Sequence, residues 1–263
     1  MDGSRPLALV TGASSGIGHE LAALFAEHGY DLVVNAEDER LEHAAQRLRE
    51  TGVEVRAVRA DLRRPEGVDH LVAALTGLAV DVAALNAGVG QGGAFVDTDL
   101  ADDQSVIDLN VTSTVRLTKP ILRDMVARGV GRLMFTSSVA ATMPGAFQSV
   151  YNASKSFAQA LQEEVADTGV TVTSFMPGPT ETDFFRRAGM ADTKVGTMPK
   201  DDPAQVARQA FDAVMKGRGK LVTGSAKTKA QGVADKVLPD RVKAAVHRRM
   251  AEPGTAQDGG GDR

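Results

Sequence analysis

Cysteine is absent from this 263-residue chain, and with it go disulfides, thiol nucleophiles and thiolate zinc sites. No window approaches the roughly 18 consecutive apolar residues that a membrane-spanning helix requires. The histidines His19, His28, His43, His70 and His247 are scattered without metal-ligand spacing, so no metal site is expected. A formal charge of −4 offers no general attraction to nucleic acid. The opening MDGSRPLALVTG runs straight into a strand pattern and leaves no room for a secretory signal. A cytoplasmic location is therefore expected. With 43% hydrophobic and 24% charged residues the composition is that of a soluble globular protein, which excludes disorder and fibrous repeats.

Charge is nevertheless uneven. Residues 215–250 hold ten Lys/Arg against two acids, Asp235 and Asp240, so the remainder is strongly acidic. Pro239 suits the first turn of a basic helix over 239–250, whose Val242, Val246 and Met250 recur at i, i+4 and i+8. The Gly-rich residues 251–263 read as a flexible tail.

Short β-branched runs alternate with helix-length periodic segments, the pattern of a parallel sheet covered on both faces. Strands are expected at Leu7–Thr11, Leu32–Asn35, Val53–Arg59, Val82–Asn86, Leu133–Ser137 and Val170–Met176, with Lys220–Thr223 as a seventh. Helical spacing marks Ile17–His28, Arg40–Glu50, Pro65–Leu75, Ala101–Arg128, Tyr151–Val165 and Pro203–Lys216. Right-handed crossovers leave few topologies, and the expected class is α/β, doubly wound, with a mostly parallel sheet of six to seven strands.

The first strand runs into Thr11-Gly12-Ala13-Ser14-Ser15-Gly16-Ile17-Gly18 and then a helix. Glycines here let the backbone turn tightly and approach a pyrophosphate, while the helix N-terminus presents free N–H groups. The second strand ends at Asn35-Ala36-Glu37, where the adenosine ribose of a dinucleotide would lie. An acid there accepts bonds from ribose hydroxyls and repels a 2′-phosphate, so Glu37 leans the choice toward NAD(H) over NADP(H). Its alternative is a solvated helix-start acid in the run Glu37-Asp38-Glu39, with Arg40 close by. Asp61-Leu62 and Asn86-Ala87-Gly88 follow the next two strands, at the sheet end where ligands of open α/β folds bind.

Ser138, Tyr151 and Lys155 decide the chemistry. A phenol with a pKa near 10 is a poor base at neutral pH. A lysine four residues on shares its helix face and favours the phenolate by its charge. A serine at the end of the preceding strand can hydrogen-bond the reacting oxygen. Tyr-x-x-x-Lys alone also describes a surface tyrosine beside a solvated lysine. The serine thirteen residues upstream and the glycine turn at the front make coincidence implausible in a chain with two tyrosines.

The ordered set Thr11–Gly18, Asp61, Asn86-Ala87-Gly88, Asn110, Ser138, Tyr151–Lys155 and Pro177-Gly178 with Thr182 resembles the short-chain dehydrogenase/reductase family over about residues 5–225. The resemblance implies a Rossmann-like single domain, here residues 1–250, and an NAD(P)-dependent oxidoreductase of alcohols and carbonyls. It implies Tyr151 as general acid/base and Lys155 on the nicotinamide ribose, lowering the tyrosine pKa. Ser138 would orient the substrate oxygen, the spacing to Tyr151 selecting it over Ser137, and Asn110 would hold a relay water. Pro177, Gly178, Thr180 and Thr182 would lie against the nicotinamide. NADP-dependent members often carry a basic residue at the positions of Ser15 or Glu37, and neither is basic here. The rival reading is a Rossmann protein that senses the dinucleotide without turnover, which has no need of an activated phenol.

Substrate choice falls to residues 180–200, where Phe184, Phe185, Met190 and Met198 suit a mobile lid over an apolar pocket. Met143, Pro144 and Phe147 would line the same pocket, with Gln91, Gln148 and Arg186-Arg187 as polar candidates; the alternative is ordinary core and loop residues. A small, moderately apolar alcohol or carbonyl compound is the expected substrate. The resembling family commonly packs two long helices against symmetry mates. Val106, Leu109, Val115, Leu117, Ile121, Leu122 and Val126 of Ala101–Arg128, more apolar residues than one face on the sheet needs, with Phe157 and Leu161 of Tyr151–Val165, would serve that contact here, and a homodimer or homotetramer is expected.

Overall fold

Strands apolar on both faces need cover on both faces, and the computed structural model supplies it. The structure describes residues 5–142, 145–155, 157–225, 228 and 240–257. Strands β1 Leu7–Thr11, β2 Asp31–Ala36, β3 Val55–Arg59, β4 Val82–Leu85, β5 Gly131–Thr136, β6 Val170–Pro177 and β7 Lys220–Thr223 form one sheet. Its order is β3-β2-β1-β4-β5-β6-β7 and every pairing is parallel. The helices are α1 Gly16–Glu27, α2 Arg40–Arg49, α3 Pro65–Leu75, α4 Leu100–Ile107, α5 Ser113–Arg128 and α6 Ser149–Ala153. Then come α7 Phe157–Glu164, α8 Phe184–Arg187, α9 Lys194–Thr197, α10 Pro203–Met215 and α11 Asp240–Ala251. The doubly wound α/β class is as expected, with the sheet wholly parallel.

Alternating strand residues build two apolar layers. Ala8, Val10, Leu32 and Val34 meet Leu21 and Phe25 of α1, Leu41 of α2 and Phe211 of α10. Leu9, Val33, Leu133 and Val172 meet Leu71 of α3, Leu117 and Ile121 of α5 and Leu161 of α7. The chain winds outward from β1 to β3 and resumes on the other side of β1 at β4. That reversal leaves a crevice beyond the carboxyl ends of β1 and β4, where ligands of open α/β sheets bind.

Several expected elements differ in detail. The helix expected over Ala101–Arg128 is interrupted by a π-helical turn at Asp108–Thr112, an insertion often found at functional sites. The helix expected over Tyr151–Val165 divides at Ser154–Lys155, where the N–H groups of both residues bond three residues back and the Ser154 hydroxyl donates to the Tyr151 carbonyl. Such local bonding competes with the helical ladder. Of the residues expected at a contact between copies, Val106, Leu109, Leu117, Ile121 and Leu161 are buried and Leu122 packs against the core, whereas Val115, Val126 and Phe157 stay partly exposed.

In α11 the expected stripe is the wrong one. Val242 and Val246 face outward, and His247 and Ala251 are buried instead, on the side where the helix lies against the small turn of α9. The expected loose tail is ordered over its first residues. Gly254 takes φ +76° and turns the chain back, so its N–H donates to Asp192 Oδ2 and that of Ala256 to the Asp192 carbonyl, both at 3.0 Å. Met143, Pro144, Pro239, most of the basic stretch over 226–238 and the tail beyond 257 lie outside the described residues. Among the described residues no helix is long and apolar enough to cross a membrane.

Candidate active site

The cleft at the crevice starts with the glycine turn. Gly12 and Gly16 take φ of +68° and +56°, a region L side chains avoid. A Cβ on Gly12 would stand 3.1 Å from the Ala87 backbone, and one on Gly18 would strike the Gly12 carbonyl. Gly18 therefore lies beneath the turn, letting α1 pack close, while Gly12, Ser14, Ser15, Gly16 and Ile17 form the wall. No side chain caps the N-terminus of α1 and its first turn has no acid. The turn therefore fits a pyrophosphate: it offers free N–H groups, a positive dipole end and room for close backbone approach.

Asn86 ties this turn to the sheet. Its amide donates to the Thr11 carbonyl at 3.2 Å and accepts from the Thr136 hydroxyl at 2.9 Å. The Thr11 hydroxyl in turn accepts from the N–H groups of Asn86 and Ala87 at 3.0 Å. Ala87 and Gly88 then continue the wall; a Cβ on Gly88 would meet Lys155 Nζ at 3.2 Å.

Tyr151 is buried, and its hydroxyl meets that of Ser138. Ser137 points elsewhere, its hydroxyl donating to the Lys155 carbonyl at 2.7 Å. Lys155 Nζ donates to the Thr136 carbonyl at 3.1 Å and lies 5.4 Å from the Tyr151 ring centre. Burial pushes the phenol up to about 12, against a smaller opposing effect of the Ser138 hydrogen bond. Burial also lowers the lysine to about 8. A lowered tyrosine pKa was expected; in the chain alone desolvation dominates and the pKa is raised instead. Asn110, placed by the π-helical turn, does not line the main cleft. Its amide donates to the Val89 carbonyl at 2.8 Å and to Ser154 Oγ at 3.1 Å, and accepts from the Val89 N–H at 3.0 Å. It faces a small second cavity behind Lys155.

At the far end, Glu37, Asp38, Asp61 and Leu62 border the cleft. Ser14 Oγ donates to Asp38 at 3.0 Å, and Arg40 beside Asp38 holds that carboxyl below its ordinary range. The Glu37 carboxylate pairs with Arg63, and with Arg187 at 2.5 Å. Arg186 pairs with Asp183 at 3.1 Å. The two arginines expected to orient a substrate thus sit toward the Glu37 end of the cleft, because the turn of α8 points them there.

The nearer end is apolar. Phe184, Phe185, Met190 and Val195 of residues 180–200 line it, with Phe184 and Tyr151 ring centres 5.6 Å apart. Pro177, Gly178, Thr180 and Thr182 form the floor between the two ends. Gln148 reaches this wall, whereas Gln91 and Met198 do not. Phe147 holds φ +64° and packs with the lid aromatics. His247, Met250 and Ala251 of α11 close the pocket. His247 was missed: no spacing marks it, because only the packing of α11 onto α9 brings it here. Among the described residues no group of side chains could hold a metal.

The family model described as short chain dehydrogenase matches residues 6–192. The chain belongs to that family. It is an NAD(P)-dependent oxidoreductase interconverting CH–OH and C=O groups, and nothing supports a sensor without turnover. The oxidoreductase UcpA of Salmonella typhimurium is 33% identical over 216 residues, 79% of each chain. A short-chain dehydrogenase from Sphingobium yanoikuyae, solved in complex with NADPH, superposes with a TM-score of 0.77 at 31% identity, covering 88% of this chain and 94% of that one. The bulky-bulky ketone specific alcohol dehydrogenase of Comamonas testosteroni gives 0.74 at 27%, covering 88% and 92%.

Tyr151 should remain protonated in the nucleotide-free protein at pH 10, where an ordinary tyrosine is half ionised. The difference in near-ultraviolet phenolate absorbance between the parent and Tyr151→Phe measures this. A half-ionised signal assigned to Tyr151 at that pH would show that burial does not govern the phenol.

Proposed function

We propose that Tyr151 exchanges the proton, Ser138 holds the substrate oxygen and Lys155 balances the charge, with Asn110 as a positioning residue. The observation that carries this is the buried phenol in contact with Ser138 and 5.4 Å from the lysine cation. A bound nicotinamide dinucleotide supplies or accepts the hydride. In reduction the Tyr151 hydroxyl gives its proton to the carbonyl oxygen as that oxygen gains negative charge. Being protonated at neutral pH, the phenol is ready as an acid. The Ser138 hydroxyl donates to the same oxygen, and the Lys155 ammonium stabilises the phenolate left behind. Oxidation runs the same transfers backward. Asn110 spends its amide on Val89 and Ser154, which steadies the loop after β4 against the segment carrying Lys155.

In this reading the α1 turn holds the pyrophosphate and Lys155 meets the nicotinamide ribose. Pro177, Gly178, Thr180 and Thr182 lie against the nicotinamide. Glu37 at the end of β2 favours NAD(H), because its carboxylate accepts from ribose hydroxyls and repels a 2′-phosphate. The NADPH of the Sphingobium neighbour weighs the other way. The aromatic lid, with Gln148 and His247 as its polar points, suits a moderately apolar alcohol or ketone, in keeping with the bulky ketones of the Comamonas enzyme. The exposed Val115, Val126 and Phe157 form the patch proposed for a twofold contact through α5 and α7.

Tyr151→Phe should keep the fold and lower kcat by about 10²–10⁴-fold, the usual worth of a general acid. Activity within about tenfold of the parent would remove Tyr151 from this role. Lys155 is charged below about pH 8 and neutral above, so kcat/KM for carbonyl reduction should decline above about 8. Lys155→Ala should lack that limb. Parent enzyme should show the higher kcat/KM with NAD(H); a clear preference for NADPH would refute the Glu37 argument. Light scattering after size exclusion should give a dimer or tetramer, and a fully active monomer would dismiss the α5–α7 patch.

A further inference from the structure

Arg187 is brought to the adenosine end by the lid, 150 residues after the carboxylate it meets. Glu37 accepts from Arg187 on Oε1 and pairs with Arg63 through Oε2, so each carboxylate oxygen has its own guanidinium. Two guanidinium groups around one small anion form the donor set that also suits a phosphomonoester. The Arg63 guanidinium and the backbone turn that carries Arg187 are both held independently of Glu37. Asp61 Oδ1 accepts from the backbone N–H and Nε of Arg63, each at 3.0 Å. The Arg187 backbone N–H donates to the Asp183 carbonyl at 2.9 Å, and Asp183 pairs with Arg40 of α2 at 3.5 Å, which anchors the turn from which the Arg187 side chain reaches Glu37. Arg63 also senses the like charge of Arg187 after its own burial, both lowering its pKa. Loss of the carboxylate would therefore leave two close cations with no anion between them.

We propose that Arg187, delivered by the substrate lid, is a specificity-determining residue: with Arg63 it forms a 2′-phosphate site that the Glu37 carboxylate fills. This rests on the reading above that the adenosine ribose lies at the end of β2. Discrimination against a 2′-phosphate is then occupancy of a ready anion site, and no basic residue has to be added to reverse it. Because Phe184 and Phe185 share α8 with Arg187, the same short helix serves the adenosine end and the substrate pocket.

The test is calorimetric titration of the full-length parent, Glu37→Gln, Arg187→Ala and the double variant with NAD⁺, NADP⁺, adenosine 2′-phosphate and adenosine 5′-phosphate. Glu37→Gln, which adds no charge, should raise the NADP⁺/NAD⁺ affinity ratio on the order of tens-fold, and that gain should fall steeply with added salt. Adenosine 2′-phosphate should gain in parallel and adenosine 5′-phosphate should not. Arg187→Ala in the Glu37→Gln chain should cancel most of the gain. A gain that survives Arg187→Ala, or no gain at all, overturns the proposal. A parent that already prefers NADP⁺ defeats the NAD(H) reading alone; Arg187→Ala should then lower the parent's NADP⁺/NAD⁺ ratio on the order of tens-fold. A parent ratio indifferent to Arg187 would end the proposal in that case too. Circular dichroism of each variant identifies any loss that comes from misfolding.

Discussion

One amide side chain joins the three strand ends on which the cleft is built. Asn86 bonds the Thr11 carbonyl of β1 and the Thr136 hydroxyl of β5, while its own N–H at the end of β4 bonds the Thr11 hydroxyl. Parallel strands diverge at a switch point, and without such a tie their ends would be held only by the ladder behind them. The glycine turn rests on this junction, since a Cβ on Gly18 would strike the Asn86 amide and one on Gly12 would crowd it. Lys155 is referenced to it as well, through the carbonyl of the same Thr136. The glycine turn and Lys155 are thus positioned from one place.

Burial gives the phenol and the lysine opposite shifts, which in the proposed mechanism serve different directions of the reaction. Removing both groups from water favours their neutral forms, so the phenol keeps its proton and the ammonium becomes easier to discharge. A protonated phenol is the acid that reduction needs, at no cost in the resting chain. Oxidation needs the phenolate, which must gain its stabilisation from Lys155 and from positive charge introduced on binding. Lys155 is mostly protonated at neutral pH, so it supplies part of that charge.

The lid connects the two ends of the cleft. Its first turn sets Phe184 beside Tyr151 and Arg187 beside Glu37, and its later turn is covered by α11 and the chain that follows. Individually the ion pairs are partly exposed and weak. Their significance is positional, since they hold one short helix against both ends of the cleft.

The chain's periodicities determined the sheet, its winding and nearly every strand, because a strand buried on both faces has to be written in apolar residues. The spacing of Ser138, Tyr151 and Lys155 and the glycine turn were equally legible, since local geometry carries them onto one edge. What depended on packing between distant segments was not legible. The π-helical turn that directs Asn110, the break between α6 and α7, and the burial of His247 in place of Val242 and Val246 arise where elements meet. So does the pairing of Glu37 with Arg63 and Arg187. Residue order states that an acid and two arginines exist; only the folded lid decides that they share one site. The shift of Tyr151 belongs to the same class, because desolvation is a property of the surroundings and not of the four-residue spacing to Lys155.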